Sequence, residues 1–511
     1  MSGTTARGLE RGPKVAGSRP NILVIMADEH APQFSGFGGH PLVRTPHLDR
    51  LAASGVLFQN TYCNSPLCVP SRMSFMTGRY VHRNQGGWDN ASALSGDAAT
   101  WAHRLRTVGY DAVLCGKQHF IGPDQLHGFR AQLARDLHAE HDIGFPDWRR
   151  GAPVAQTPWL GVAQAGPGTT TSTETDDAVE AAALAYLRDP ARAERPWALD
   201  VGFIAPHFPL VAPQRYWDLY AEADIDLPDP ASVSPAALER QHPVYRRMRA
   251  AFGLPEHDPA AVRRGRIGYY ALITYLDEKI GRLLDALEET GQRQNTLVVY
   301  TSDHGEMAGE HGMWRKSNFY EHSARVPLIL SWPAALAAGR AVAGVTSLVD
   351  VVRTMVEAAG APDLESLDGD SLLPLARLAS PASGPRDDAA TDKPDVPDLG
   401  WKDEAFCEYL AHGVTAPMAM LRRGRYKLNY SLDDPVELYD LEADPGELRD
   451  LSDDPEYRDV REELRAALLA RWNPVDVERR ARQSQQERLL IRAASAAETG
   501  PRPHTTHAEP R

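Results

Sequence analysis

The chain has 511 residues, 42% apolar and 24% charged, enough to bury one large core and a smaller appended unit. Its net charge of −14 argues against a nucleic acid partner, because a phosphate backbone demands a basic face; a small anionic substrate would need a locally basic pocket. Four cysteines (Cys63, Cys68, Cys115, Cys407) without C-x-x-C spacing exclude a disulfide scaffold, a zinc ribbon and a dithiol redox motif.

Residues 1–19 are polar and read as a flexible N-terminal segment without the apolar stretch of a secretory signal. No run of about 18 apolar residues follows, so no membrane partner is expected and the address reads as cytoplasmic. The first element, Asn21 to Ala27 (NILVIMA), is a short unbroken apolar run ending at Asp28, Glu29 and His30. That pattern predicts a buried parallel strand with polar residues at its C-terminal edge, where open α/β sheets place their sites.

The segment Ser65 to Arg79 (SPLCVPSRMSFMTGR) comes next. Pro70 suits the first turn of a helix and Gly78 its end, so Cys68 falls at or just before the helix N-terminus, with Arg72 one turn along. Free backbone N–H groups and the helix dipole favour negative charge there, and Arg72 adds a cation whose fork suits sulfate or phosphate oxygens. A buried structural cysteine before an ordinary helix fits the same pattern. Asn90 lies in W-D-N-A, where a D-N dipeptide also initiates turns.

Weaker strand copies follow at Tyr110 to Cys115, before Lys117 and His119, and at Trp197 to Ala205, before His207. A strong copy, Thr296 to Ser302 (TLVVYTS), precedes Asp303 and His304, with Lys316 in W-R-K-S beyond it. Between them, Leu272, Tyr275, Leu276, Ile280, Leu283 and Leu287 recur at helical spacing over Ile267 to Thr290. Strand and helix alternation predicts an α/β fold over residues 20–379, with a large mostly parallel sheet covered by helices on both faces. Residues 380–400 are Pro/Asp/Ala-rich, the composition of a linker or exposed loop. A smaller C-terminal α+β domain is expected over 401–475, from strands at Met418 to Arg422 and Tyr426 to Tyr430 and a helix near Val460 to Trp472. Residues 476–511 read as a charged, partly disordered tail, with a subunit-clasping arm as the alternative; the sequence is compatible with a homo-oligomer.

The pattern C-x-P-S-R-x-x-x-x-T-G-R at Cys68 to Arg79 resembles the signature of the sulfatase family, within the alkaline-phosphatase superfamily, in which the cysteine is converted after translation to formylglycine. The likeness extends to N-I-L-V-I-M-A-D near the start, T-P-H-L-D-R-L-A at Thr45 to Ala52, G-K-Q-H at Gly116 to His119, Pro206-His207, D-H-G-E at Asp303 to Glu306, and Y-K-L with E-L-Y-D-L near the C-terminus. It implies a hydrolase acting on a small anionic ester, matured by a formylglycine-generating enzyme. It further implies one divalent metal held by Asp28, Asp303 and His304, with Glu29 as a fourth ligand. Oxygen-rich ligation suits Ca²⁺ or Mn²⁺, and the Asp-His pair, similar to that of choline sulfatases and phosphonate monoester hydrolases, tilts the choice toward Mn²⁺.

By the same resemblance Arg72 and Lys117 bind the non-bridging oxygens and the aldehyde hydrate, and His119 orients or deprotonates one of its hydroxyls. His207 and Lys316 stabilise the departing alcohol, and Asn90 contacts the substrate. One hydroxyl of the hydrate would attack sulfur, and the second would expel sulfate. Each residue has a plainer reading as a solvated loop group or a packed turn; His311 and His322 read as structural or supporting. Phe145, Trp148, Trp159 and Glu408 offer a cage for a quaternary ammonium. A phosphonate or phosphate ester hydrolase of the same superfamily, and an anion-binding protein with an unmodified Cys68, are the competing readings.

Overall fold

The computed structural model describes residues 19–84, 86–137, 161–254, 258–362, 366–381 and 400–499. A nine-stranded sheet runs in the order Ser380–Pro381, Arg340–Ser347, Val56–Tyr62, Arg325–Ser331, Thr296–Ser302, Asn21–Asp28, Trp197–Pro206, Asp111–Gly116 and Ala131–Gln132. Asn21–Asp28 pairs in parallel with Thr296–Ser302 and Trp197–Pro206, and Trp197–Pro206 in turn with Asp111–Gly116. Arg325–Ser331 is inserted antiparallel, so the sheet is mixed but mostly parallel.

The unbroken apolar runs exist because both faces are covered. Ile22, Val24 and Met26 enter one apolar cluster while Leu23, Ile25 and Ala27 enter the other, alternating as strand geometry requires. The first face is covered by the helices Cys68–Thr77, Trp101–Thr107 and Leu348–Ala358, the second by Thr171–Arg188 and Pro259–Glu289. The last of these starts earlier than the Ile267 expected from periodicity, because Asp258 caps it by accepting from Ala260 N and Pro259 occupies its first turn.

Glu404–Tyr409, Met418–Arg423, Tyr426–Ser431 and Glu437–Asp440 form a separate antiparallel sheet, backed by the helix Arg458–Arg471. Both of its faces join the first apolar cluster, one through the paired Phe406, Leu421 and Leu428 and the other through Cys407 and Met420. Ser380 and Pro381, read as the start of the linker, instead pair with Arg340–Ser347, and 382–399 lie outside the described residues.

A buried ionic knot ties the two sheets together. Lys427 Nζ donates to Glu321 Oε1 at 3.0 Å and to the Phe319 carbonyl at 2.8 Å and pairs with Glu447, whose carboxylate accepts from Glu321 N at 2.7 Å. Burial would raise the Glu321 carboxyl, but Lys427, Arg422 and Arg325 bring it down to about 2. Lys427→Met is therefore expected to destabilise the protein by about 3–5 kcal/mol, because Glu447 stays buried without its cation and Glu321 keeps only the more distant Arg422 and Arg325. Urea unfolding measures this; a loss below about 1 kcal/mol, the scale of an exposed pair, would assign the knot no structural weight.

Of the charged tail, Pro474–Thr499 is an ordered helix, and 500–511 lie outside the described residues. Val477 and Ala481 are buried, intrahelical pairs link Arg480 to Asp476 and Arg482 to Glu478, and buried Arg488 reaches Asp89. Ion pairs rather than an apolar stripe hold it, which is why hydrophobic periodicity gave no signal. Among the described residues no helix is long and apolar enough to cross a membrane.

Candidate active site

Strand register brings the candidate residues together. Met26 stands beside Gly202 and Thr301, and Gly116 also stands beside Gly202, so Asp28, Asp303, Lys117 and His207 leave the sheet at one edge. Gly202 permits the close approach: a Cβ there would lie 1.9 Å from the Lys117 carbonyl oxygen.

The helix Cys68–Thr77 starts over this edge and has the bounds that Pro70 and Gly78 predict; at its far end Gly78 adopts φ +67° and its N–H closes on Ser74 O. Cys68 Sγ lies 3.3 Å from His304 Nε2 and 3.9 Å from Asp28 Oδ1. His304 Nδ1 donates to Gly305 O at 3.0 Å, which places the ring proton on Nδ1 and turns the Nε2 lone pair toward Cys68, Asp28 and Asp303. Ser71 Oγ donates to Asp303 O at 2.5 Å.

Arg72 is fully buried among acidic side chains and backbone carbonyls. Its Nε donates to Asp303 Oδ2 at 2.8 Å, Nη1 to Lys117 O at 2.9 Å, and Nη2 to Ala27 O at 3.4 Å and Asp28 Oδ2 at 3.5 Å. The guanidinium thus knits the acidic floor together. Lys117 pairs with Asp28, while Lys316 Nζ and His207 Nε2 approach Glu29 at 3.2 and 3.4 Å. His207 Nδ1 also donates to Phe208 O at 2.6 Å, so acceptors lie at both nitrogens and the ring can carry the two protons a proton donor needs. His119 is buried two residues beyond Lys117; Asp136 Oδ2 fixes that turn by accepting from Gln118 N at 2.8 Å and His119 N at 2.5 Å.

The donor set fits a divalent cation. Asp28, Cys68, Asp303 and His304 each offer a ligand atom within 4.8 Å of the others, and Asp28, Glu29 and His207 form an overlapping group. Glu29, at φ +70°, is wholly buried, and its two oxygens are met by no well-formed hydrogen bond, only by Lys316 Nζ at 3.2 Å and His207 Nε2 at 3.4 Å, which leaves lone pairs for a cation. Burial, with Glu306 and Asp28 close by, pushes the Glu29 carboxyl up to about 8 against Lys316 and His304. Burial would also raise Asp28, yet Lys117, His207, Arg72 and His304 hold it well below the usual carboxylate range. Burial, then Asp28, pushes the Cys68 thiol up to about 12.

Asn90 Oδ1 accepts from Val69 N at 3.0 Å, beside Cys68. Glu408 is unavailable to a cage, since it is buried and bound by His82 and by Trp472 Nε1; Phe145, Trp148 and Trp159 lie outside the described residues. His311 stacks on Tyr320, and burial lowers it to about 4; His322 packs on Phe34, and burial lowers it to about 3. Two residues escaped the sequence reading. Phe208 stacks under His207 at 4.0 Å and lies beneath Arg315 and Lys316, and Glu306 Oε1 accepts from Ala308 N and Arg315 N, anchoring the loop that delivers Lys316. Glu306 was visible in D-H-G-E; Phe208 carried no signal beyond its place in H-F-P.

Comparisons with known proteins identify the family. The sulfatase family profile matches residues 20–361, and a second one, described as N-sulphoglucosamine sulphohydrolase, C-terminal, matches residues 309–473. A choline-sulfatase of Rhizobium meliloti is 36% identical over 93% of this chain and 91% of its own. An N-acetylglucosamine-6-O-sulfatase of Bacteroides thetaiotaomicron is 28% identical over 88% of this chain and 86% of its own. The crystal structure of a phosphonate monoester hydrolase of Agrobacterium radiobacter superposes with a TM-score of 0.70 at 26% identity, covering 91% of this chain and 96% of the other. The chain belongs to the sulfatase family of the alkaline-phosphatase superfamily and is a sulfuric ester hydrolase.

Proposed function

We propose that the protein hydrolyses a small alkyl or aryl sulfate ester, with residue 68, converted from cysteine to formylglycine by a formylglycine-generating enzyme, as the attacking group. The observation that carries this reading is the convergence of Cys68, Asp28, Asp303 and His304 at one sheet edge, ringed by Lys117, His207 and Lys316. The unmodified thiol, kept protonated by burial, is a poor nucleophile at neutral pH; a hydrated aldehyde supplies a hydroxyl instead.

Asp28, Glu29, Asp303 and His304 would hold a divalent cation, Ca²⁺ or Mn²⁺, which when bound supplies Lewis-acid charge at the sulfuryl oxygens and the attacking hydroxyl. Arg72 holds Asp28 and Asp303 in position. Lys117 balances the acidic floor and faces the sulfuryl oxygens, and His119 accepts a proton from the hydrate. His207 and Lys316 serve the leaving oxygen, His207 by giving up a ring proton and Lys316 by its charge.

The mass of the tryptic peptide containing residue 68, measured with sulfate release, tests this reading, since formylglycine is lighter than cysteine. An active preparation with an intact thiol would overturn it. The likeness to a phosphonate monoester hydrolase favours one alternative, a preference for phosphonate or phosphate esters. Rates on matched aryl sulfate, phosphonate monoester, phosphate diester and choline sulfate decide between them.

The leaving-group roles have their own expected outcome. His207→Ala and Lys316→Ala should each slow poor leaving groups by about a hundredfold or more and steepen the dependence of rate on leaving-group pKa across substituted phenyl sulfates. An unchanged slope in both variants, with bond breaking rate-limiting, would remove them from the leaving oxygen.

A further inference from the structure

The helix carrying Cys68 lacks a local cap. Leu67, at its N-cap position, has no side-chain acceptor; Pro70 has no N–H, and Ser71 N is satisfied by Leu67 O. The Val69 N–H, next to Cys68, is met from elsewhere in the sequence, by Asn90 Oδ1 at 3.0 Å. Asn90 therefore does the work of an N-cap for the segment that presents the nucleophile.

What fixes Asn90 is its neighbour. Asp89 is fully buried, its N–H donates to Ser92 Oγ at 3.0 Å, and its Oδ1 accepts from Ala91 N at 3.0 Å. Both its carboxylate oxygens also receive the fork of Arg488, Nη1 to Oδ1 and Nη2 to Oδ2, each at 2.8 Å, and Arg488 itself is 6% exposed. A bidentate pair of this kind fixes position and orientation together. Arg480 of the same helix reinforces the attachment by donating to His82 O at 2.8 Å and lying over the Trp88 ring.

We propose that Arg488 is a positioning residue for catalysis: through Asp89 it holds Asn90 on Val69 N, and so the C-terminal helix sets the placement of residue 68. The inference rests on residue 68 being the attacking group. Asn90 adds to whatever contact it makes with substrate the separate duty of holding this helix end.

The test is a double-mutant cycle on the full chain, assayed with an aryl sulfate, with amide exchange at Val69 followed by mass spectrometry of overlapping peptides. Arg488→Met should lower kcat about ten- to a hundredfold, the scale of a misplaced reacting group, and accelerate Val69 exchange, with KM changing less than kcat. Arg488→Lys, which keeps the charge but not the fork, should fall between Arg488→Met and the parent. In an Asn90→Ala background the Arg488→Met effect should vanish. If Arg488→Met unfolds the protein, the uncharged pair Asp89→Asn/Arg488→Met, which leaves no lone buried charge, takes its place. Multiplicative effects of Asn90→Ala and Arg488→Met, or unchanged Val69 exchange in a folded Arg488 variant, would overturn the inference. Amide exchange needs no turnover, so an unmodified or inactive preparation tests the anchoring even if residue 68 proves not to be the attacking group.

Discussion

Cys68→Ala is expected to abolish sulfate-ester turnover while leaving fold and metal content nearly intact. The side chain is 2% exposed at the start of its helix, and alanine loses only the sulfur, so the cost to stability is small beside the loss of the nucleophile. No neighbour can replace it. Ser71, the nearest hydroxyl in sequence, donates to Asp303 O at 2.5 Å and so points at the backbone of the acidic floor. Turnover should fall by the factor typical of deleting a covalent nucleophile, on the order of a millionfold, with melting temperature and bound metal measured alongside. Near-normal turnover in Cys68→Ala together with its loss in Ser71→Ala would falsify the assignment.

Removal of the metal is expected to be the second large effect. In the proposed metal site Asp28, Glu29, Asp303 and the lone pair of His304 gather three carboxylates in a buried space, and a divalent cation would offset their repulsion. Chelation should inactivate the enzyme and lower its melting temperature, since an ion present at about a hundred times its Kd stabilises the fold by about 2.7 kcal/mol. Asp303→Asn should weaken metal binding and activity by at least about a hundredfold, because it removes a formal charge and also weakens the acceptor of Arg72 Nε. Elemental analysis, activity after dialysis against chelator and melting curves with added Ca²⁺ or Mn²⁺ report on all three expectations. Full activity in a verified metal-free preparation would eliminate this site.

The position of the knot around Lys427 and the helix after Pro474 indicates how the C-terminal part serves the site. Lys427 binds Glu321 and the Phe319 carbonyl, a few residues beyond Lys316, and Arg488 holds the turn that carries Asn90. Both contacts end near loops that present polar groups to Cys68.

The sequence alone determined the α/β class, the apolar strands that end in Asp28, Lys117, His207 and Asp303, and the helix between Cys68 and Gly78. These features are written in local chemistry: unbroken apolar runs for strands buried on both faces, proline and glycine at helix ends, and a motif whose spacing carries over from relatives. Only the tertiary structure decided what each side chain touches. Arg72 turned out to bind Asp303, Asp28 and two carbonyls, Glu408 to be held by His82 and Trp472, and Asn90 to cap a helix from outside it. The tail became a docked helix through Arg488 and Asp89, which stand 399 positions apart. An ion pair or a distant cap leaves no periodicity in the chain, because its partners are brought together by sheet order and register rather than by neighbouring residues.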